Sequence, residues 1–146
     1  MEAVRILLVD DNVLFLASAR RFLASFPAVE SVGTARDGLE AMEQLKRHSG
    51  AERPDVVLMD LNIPGMNGLE VTRCIKALAP DIRVIIVSLH DMADFRAAAE
   101  RAGAEHFVAK QDFAAVLPPL LQINAVSGAR PESLDAPGTL RTVRND

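Results

Sequence analysis

"VVLMDLNIPGMNG", residues 56–68, runs from four apolar residues into a single aspartate, Asp60, and then into a turn rich in Pro, Gly and Asn. The apolar run does not alternate with polar residues, so it reads as a strand covered on both faces, the mark of a parallel sheet flanked by helices. Runs of the same kind at 6–9 and 84–87 repeat the signal, and weaker strands are expected at 29–34 and 106–109. The intervening stretches predict helices near 12–25, 37–48, 68–78, 92–102 and 113–126. Five β-α repeats of this length imply right-handed crossovers and one open α/β sheet of five parallel strands.

Local punctuation agrees with this division. Asn67 followed by Glu70 forms a capping box opening the third helix, and Gly103 closes the fourth. Pro118 and Pro119 lie where a helix beginning after Asp112 needs backbone donors, so an irregular turn is expected there, with the regular helix starting near Pro118 as its N1 residue. From Ser127 onward periodicity is lost and Pro, Gly and Ser accumulate. Residues 1–126 are therefore read as one domain and 127–146 as a flexible tail or linker.

Composition narrows the function. The 146 residues are 49% hydrophobic and 25% charged, with no apolar run long enough to span a bilayer, and the start MEAVRILLVDD lacks a secretory leader, so a cytoplasmic location is expected. Cys74 is the only cysteine, which excludes an internal disulfide and a multi-cysteine metal site; it reads as a helical packing residue. Sixteen basic against twenty acidic residues give a net charge of −4, with no concentration of Lys and Arg, so this domain is not expected to bind nucleic acid directly.

In an open parallel sheet, ligands gather beyond the C-terminal strand ends where the strand order reverses. Here the first strand ends in Asp10-Asp11, the third in Asp60, the fourth in Ser88 and the fifth in Lys110. Carboxylates 4 to 5 Å apart repel by roughly 3 to 4 kcal/mol at an effective dielectric near 20, so the cluster calls for a positive partner. An all-oxygen donor set without His or Cys favours a hard cation such as Mg²⁺.

"LLVDDN", "VVLMDLNIPGMNG", "VIIVSLHD" and "AGAEHFVAK", in that order and spacing, resemble the receiver domain of two-component response regulators over about residues 3–126. The variants "FRAAAERAGAEHFVAK" and "NGLEVTRCIKAL" look most like receivers that precede a helix-turn-helix DNA-binding domain. The resemblance implies a flavodoxin-like (βα)5 fold with strand order 2-1-3-4-5. It implies a phosphoacceptor, Asp60, and a Mg²⁺ ion held by Asp10, Asp11, Asp60 and the backbone carbonyl of Asn62. Lys110 and Ser88 would contact the phosphoryl oxygens. Ser88 and Phe107 would form the switch that changes the surface of the fourth helix, fifth strand and fifth helix, and Asn62 and His90 would set the phosphate lifetime.

The implied partners are a sensor histidine kinase or phosphotransfer protein and, for some members, a second copy of the chain. The domain would act as a regulatory phosphoacceptor, not as an enzyme with a separate substrate, controlling transcription through an output domain or partner. Two departures stand out: Gln111 follows the lysine where many members carry proline, and Phe107 replaces the frequent tyrosine, so switching would rely on packing without a hydroxyl. Two other readings compete. One is a receiver-like interaction module that takes no phosphate. The other is a haloacid-dehalogenase-type phosphohydrolase, which needs a second aspartate where this chain has Asn62.

Overall fold

In the computed structural model, which describes residues 3–48, 50–89 and 93–123, the apolar runs at 6–9, 56–59 and 84–87 are strands of one parallel sheet. The strands are β1 (Val4–Val9), β2 (Val29–Ala35), β3 (Val56–Met59), β4 (Arg83–Ser88) and β5 (His106–Ala109). They alternate with α1 (Val13–Ala24), α2 (Gly38–Arg47), α3 (Gly68–Leu78), α4 (Ala93–Ala102) and α5 (Phe113–Leu121). The order is β2-β1-β3-β4-β5, as the resemblance implies.

The continuous hydrophobicity of the central strands follows from two cores on opposite faces. Successive side chains of a strand point to opposite sides. Leu7, Val9, Val57, Met59, Val84 and Ile86 pack with Ala41 and Leu45 of α2, Val71 and Ile75 of α3, and Ala99 of α4. The intervening Ile6, Leu8, Val56, Leu58, Ile85 and Val87 pack with Leu16, Ala19 and Leu23 of α1 and Phe113, Leu117 and Leu121 of α5. A polar residue at any of these positions would lose about 2 kcal/mol or more of apolar burial and would need a buried hydrogen-bond partner. β2 lies at the sheet edge with Glu30 and Ser31 exposed, which explains its weaker pattern.

The capping box opens α3 as expected: Asn67 Oδ1 accepts from the Glu70 amide, and the Glu70 carboxylate accepts from the Asn67 amide. Gly103 ends α4 with φ +108°, a left-handed conformation that glycine adopts at little cost. Cys74 is a half-buried residue of α3.

α5 departs from the sequence expectation. It begins at Phe113, directly after a short 3-10 turn over Lys110–Asp112, and both prolines lie inside it. The bonds they remove would have ended on the carbonyls of Ala114 and Ala115, both exposed residues, where water can act as donor. Meanwhile Phe113, Leu117, Pro118 and Leu121 are buried, so packing outweighs the lost helical bonds. The helix closes on Gln122 at φ 58°, with the Ile123 amide donating to the Pro118 carbonyl. The helix thus ends at Leu121, short of the expected residue 126, and the tail at 127–146 lies outside the described residues.

Among the described residues no helix is long and apolar enough to cross a membrane.

Candidate functional site

Register brings the acidic residues together. Val9 of β1 is paired with Met59 of β3, so the next residues, Asp10 and Asp60, leave the sheet side by side. Each is anchored by its own amide: Asp10 donates to the Ala35 carbonyl at 3.0 Å, Asp60 to the Val9 carbonyl at 2.9 Å. On the far side Ser88, fully buried, is paired with Ala109, whose successor is Lys110.

The two aspartates that end β1 have different environments. Asp10 is 2% exposed, and its Oδ1 accepts from the Asn12 amide at 2.9 Å. Asn12 in turn caps α1, accepting from the Phe15 amide at 3.0 Å. These successive bonds turn the chain sharply after β1 and leave Asp11 at the surface. Oxygens of Asp10, Asp11 and Asp60 nevertheless lie within 4.8 Å of one another.

Lys110 is the cation at this cluster. Its Nζ lies 2.7 Å from Asp10 Oδ2 and 4.0 Å from Asp60 Oδ1, with the side chain 10% exposed. Asp10 Oδ2 accepts no aligned hydrogen bond, so the close approach is an ion pair without the directionality of one. The ammonium also stands 4.5 Å from the centroid of the Phe15 ring.

One ammonium does not offset three carboxylates. Asp60, 6% exposed, has its carboxyl pushed up to about 6, first by burial and then by the neighbouring Asp10 charge, with Asp11 adding to it. Lys110 and the Leu61 amide pull the other way. At about 4.8 Å and an effective dielectric of 20, each carboxylate pair repels by roughly 3.5 kcal/mol. The all-oxygen donors of Asp10, Asp11 and Asp60 fit a hard divalent cation such as Mg²⁺.

Asn62 is exposed on the loop after Asp60. Phe107 is half-buried on β5, level with Ile86 of β4, with the Arg96 guanidinium of α4 5.1 Å from its ring centroid. Gln111 is exposed in the 3-10 turn that replaces the frequent proline. His90 lies outside the described residues. A groove lined in part by Arg5, Glu30, Gln44 and His48 lies between α2 and the outer strand, away from Asp60.

Gly68 sets the floor of the site. Its amide donates to the Leu61 carbonyl at 3.0 Å, and a Cβ there would fall 2.2 Å from the Asp60 carbonyl oxygen and 2.9 Å from Leu61 Cα. Only glycine lets α3 start so close to the strand end bearing Asp60.

Sequence reasoning missed Phe15, Asn12 and Arg96. Asn12 carried a readable signal, an N-cap residue just before an apolar stretch. Phe15 and Arg96 carried none, because an aromatic or an arginine on an amphipathic helix looks the same whether or not a partner from another element reaches it.

Residues 6–118 match the family described as the response regulator receiver domain. The chain belongs to this family. Among curated relatives, the receiver is 33% identical over 126 residues to the transcriptional regulatory protein DegU of Brevibacillus brevis, covering 86% of this chain and 52% of that protein. The chain thus spans about half the length of that relative. Among solved structures, a two-component response regulator of the LuxR family from Aurantimonas sp. SI85-9A1 superposes with a TM-score of 0.75 at 32% identity, covering 83% of this chain and 84% of that one. The phosphorylated cyanobacterial phytochrome response regulator RcpA gives a TM-score of 0.67 at 32% identity, covering 83% and 88%. The receiver is thus a two-component signalling module whose similar proteins include transcription regulators.

Proposed function

We propose that this receiver is a phosphorylation switch in which Asp60 accepts a phosphoryl group from a sensor histidine kinase or phosphotransfer protein. The observation that carries the reading is the buried Asp60 carboxylate, held beside Asp10 and Asp11 with the Lys110 ammonium 4.0 Å away. A carboxylate fixed on a strand end is a nucleophile of defined direction, shielded from most water. An Asp60 oxygen attacks phosphorus as the bond from phosphorus to the donor's imidazole nitrogen breaks; the electron pair stays on that nitrogen, and the product is an acyl phosphate. A Mg²⁺ ion held by Asp10, Asp11, Asp60 and the Asn62 carbonyl would supply positive charge against the phosphoryl oxygens. Lys110, 4.0 Å from Asp60 Oδ1, adds a second positive charge, and the Ser88 hydroxyl would donate to a phosphoryl oxygen.

The output follows from packing. If Ser88 is drawn to the phosphoryl group, space opens beside it, and Phe107 turns from its half-buried position into that space. The ring carries no hydroxyl, so two packings of α4, β5 and α5 differ only by contacts, and the phosphoryl group biases between them. A partner, a second copy of the chain or an attached output domain reads that surface. On this reading residues 1–126 form the switch and 127–146 a flexible tail or linker. The name of the transcriptional regulatory protein DegU supports transcription regulation as the output, and the proposed place of the domain is the cytoplasm. The chemistry ends on the protein's own aspartate, so the domain regulates and does not turn over a separate substrate.

The test is incubation with a small acyl phosphate donor and Mg²⁺, followed by intact mass measurement of the parent and Asp60→Asn. One alkali-labile phosphoryl adduct on the parent alone supports the switch. Absence of the adduct from the parent, or its persistence in Asp60→Asn, refutes it.

A further inference from the structure

The position of the Lys110 ammonium needs more than its two carboxylate neighbours to explain it. It lies 2.7 Å from Asp10 Oδ2, yet that oxygen accepts no aligned hydrogen bond, and it lies 4.0 Å from Asp60 Oδ1. Coulomb attraction to two carboxylates is strong but has little direction. The third neighbour is the Phe15 ring of α1, whose centroid is 4.5 Å from the same nitrogen, within the range of a cation–π contact. With the Lys110 side chain 10% exposed, little water competes for that ammonium, the condition under which the ring's attraction is strongest.

The ring is itself held. Phe15 packs edge-on against Phe113 at 5.4 Å and 76°, and Phe113 also meets Phe22 at 6.1 Å and 58°. Phe22 packs in turn on Phe26 at 5.2 Å and 78°. Phe113 is buried and opens α5, three residues after Lys110. The same ring stack therefore anchors both the platform under the ammonium and the turn carrying the lysine backbone.

We infer that Phe15 is a positioning residue of the phosphoryl-accepting site: its ring seats the Lys110 ammonium between Asp10 and Asp60, ready for a phosphoryl oxygen. This rests on the proposed phosphoryl transfer for its functional consequence, though not for the seating itself. A long, flexible lysine without the ring would fold onto Asp10 in many orientations, and part of its contribution to transfer would be lost to ordering it.

The test uses the full chain with Phe15 carrying one, two or three ring fluorines, a series that keeps shape while draining the negative charge from the ring face, together with Phe15→Leu. Two readouts are followed: the NMR shift of the Lys110 ε-methylene protons, and the rate of adduct formation from a small acyl phosphate with Mg²⁺. Seating over the ring predicts upfield ε-protons in the parent that move downfield along the series. It also predicts a stepwise fall in rate, reaching about threefold to thirtyfold at the end, the range a cation–π contact of this burial supports. A merely structural role moves neither quantity in the isosteric fluorinated proteins. Ordinary ε-proton shifts in the parent, or equal rates across the whole series, overturn the inference. If the parent takes up no phosphoryl group, the proposed function fails, and the ε-proton shifts alone still decide whether the ring seats the lysine.

Discussion

Replacing Asp60 with asparagine is expected to stabilise the metal-free protein at neutral pH. The folded chain raises the Asp60 carboxyl from an ordinary 3.8 to about 6, chiefly through burial and the Asp10 charge. Each pH unit of such a shift is about 1.36 kcal/mol, so the ceiling is roughly 3 kcal/mol. The exposed Asp11 marks an opening to solvent and salt, and screening there brings the expected value to about 1 to 2 kcal/mol. The sign follows from linkage. Between pH 3.8 and 6 the folded state binds the Asp60 proton more tightly than the unfolded state, so stability falls as pH rises through that window. Asparagine carries no such charge, and its side-chain carbonyl can still accept from the Leu61 amide that bonds the Asp60 carboxylate. Urea denaturation with a chelator present, followed by circular dichroism from pH 4 to 8, measures both proteins. Asp60→Asn should be the more stable above pH 6, and the two should converge toward pH 4. Equal stability at pH 8, or a gap that persists undiminished to pH 4, would refute the reasoning. Adding Mg²⁺ should then raise the parent by about 2.7 kcal/mol at a hundred times its dissociation constant, and the variant by less.

Further outcomes follow from the same geometry. Lys110→Ala should slow phosphoryl uptake at least about tenfold, since it removes the ammonium 4.0 Å from Asp60, while calorimetry should show Mg²⁺ binding retained. Gly68→Ala should cost about 2 kcal/mol or more in urea unfolding, because its Cβ would meet backbone at 2.2 Å; Gly38→Ala should cost less, because its close neighbour at 2.6 Å is a methyl of the Val71 side chain. His90→Ala should alter the rate at which the phosphorylated protein loses phosphate, measured as decay of the mass adduct, without abolishing uptake; identical decay curves would rule that role out.

Much of the molecule was legible in the chain because its signals are local. Runs of four apolar residues repeated between helical stretches suit strands covered on both faces of a parallel sheet, and here each run divides between two cores residue by residue. The Asn67–Glu70 box opens α3 with its own backbone, so neighbours three residues apart suffice to predict it. Asp10, Asp60 and Lys110 were readable for a related reason: each follows directly from a strand, and parallel register delivers all strand ends to one edge.

What only the tertiary structure decided depends on comparing energies between distant segments. Pro118 and Pro119 break the local rule for a helix, yet buried apolar contacts of α5 outweigh two missing bonds at the exposed residues Ala114 and Ala115. Asp10 and Asp11 are chemically identical neighbours, and only the turn fixed by the Asn12 cap buries one and exposes the other. Phe15 and Lys110 are ninety-five positions apart in the chain, so no period or motif joins them. Their meeting at 4.5 Å exists because α1 and α5 cover the same face of the sheet, and side-chain attraction acts through space and not along the chain.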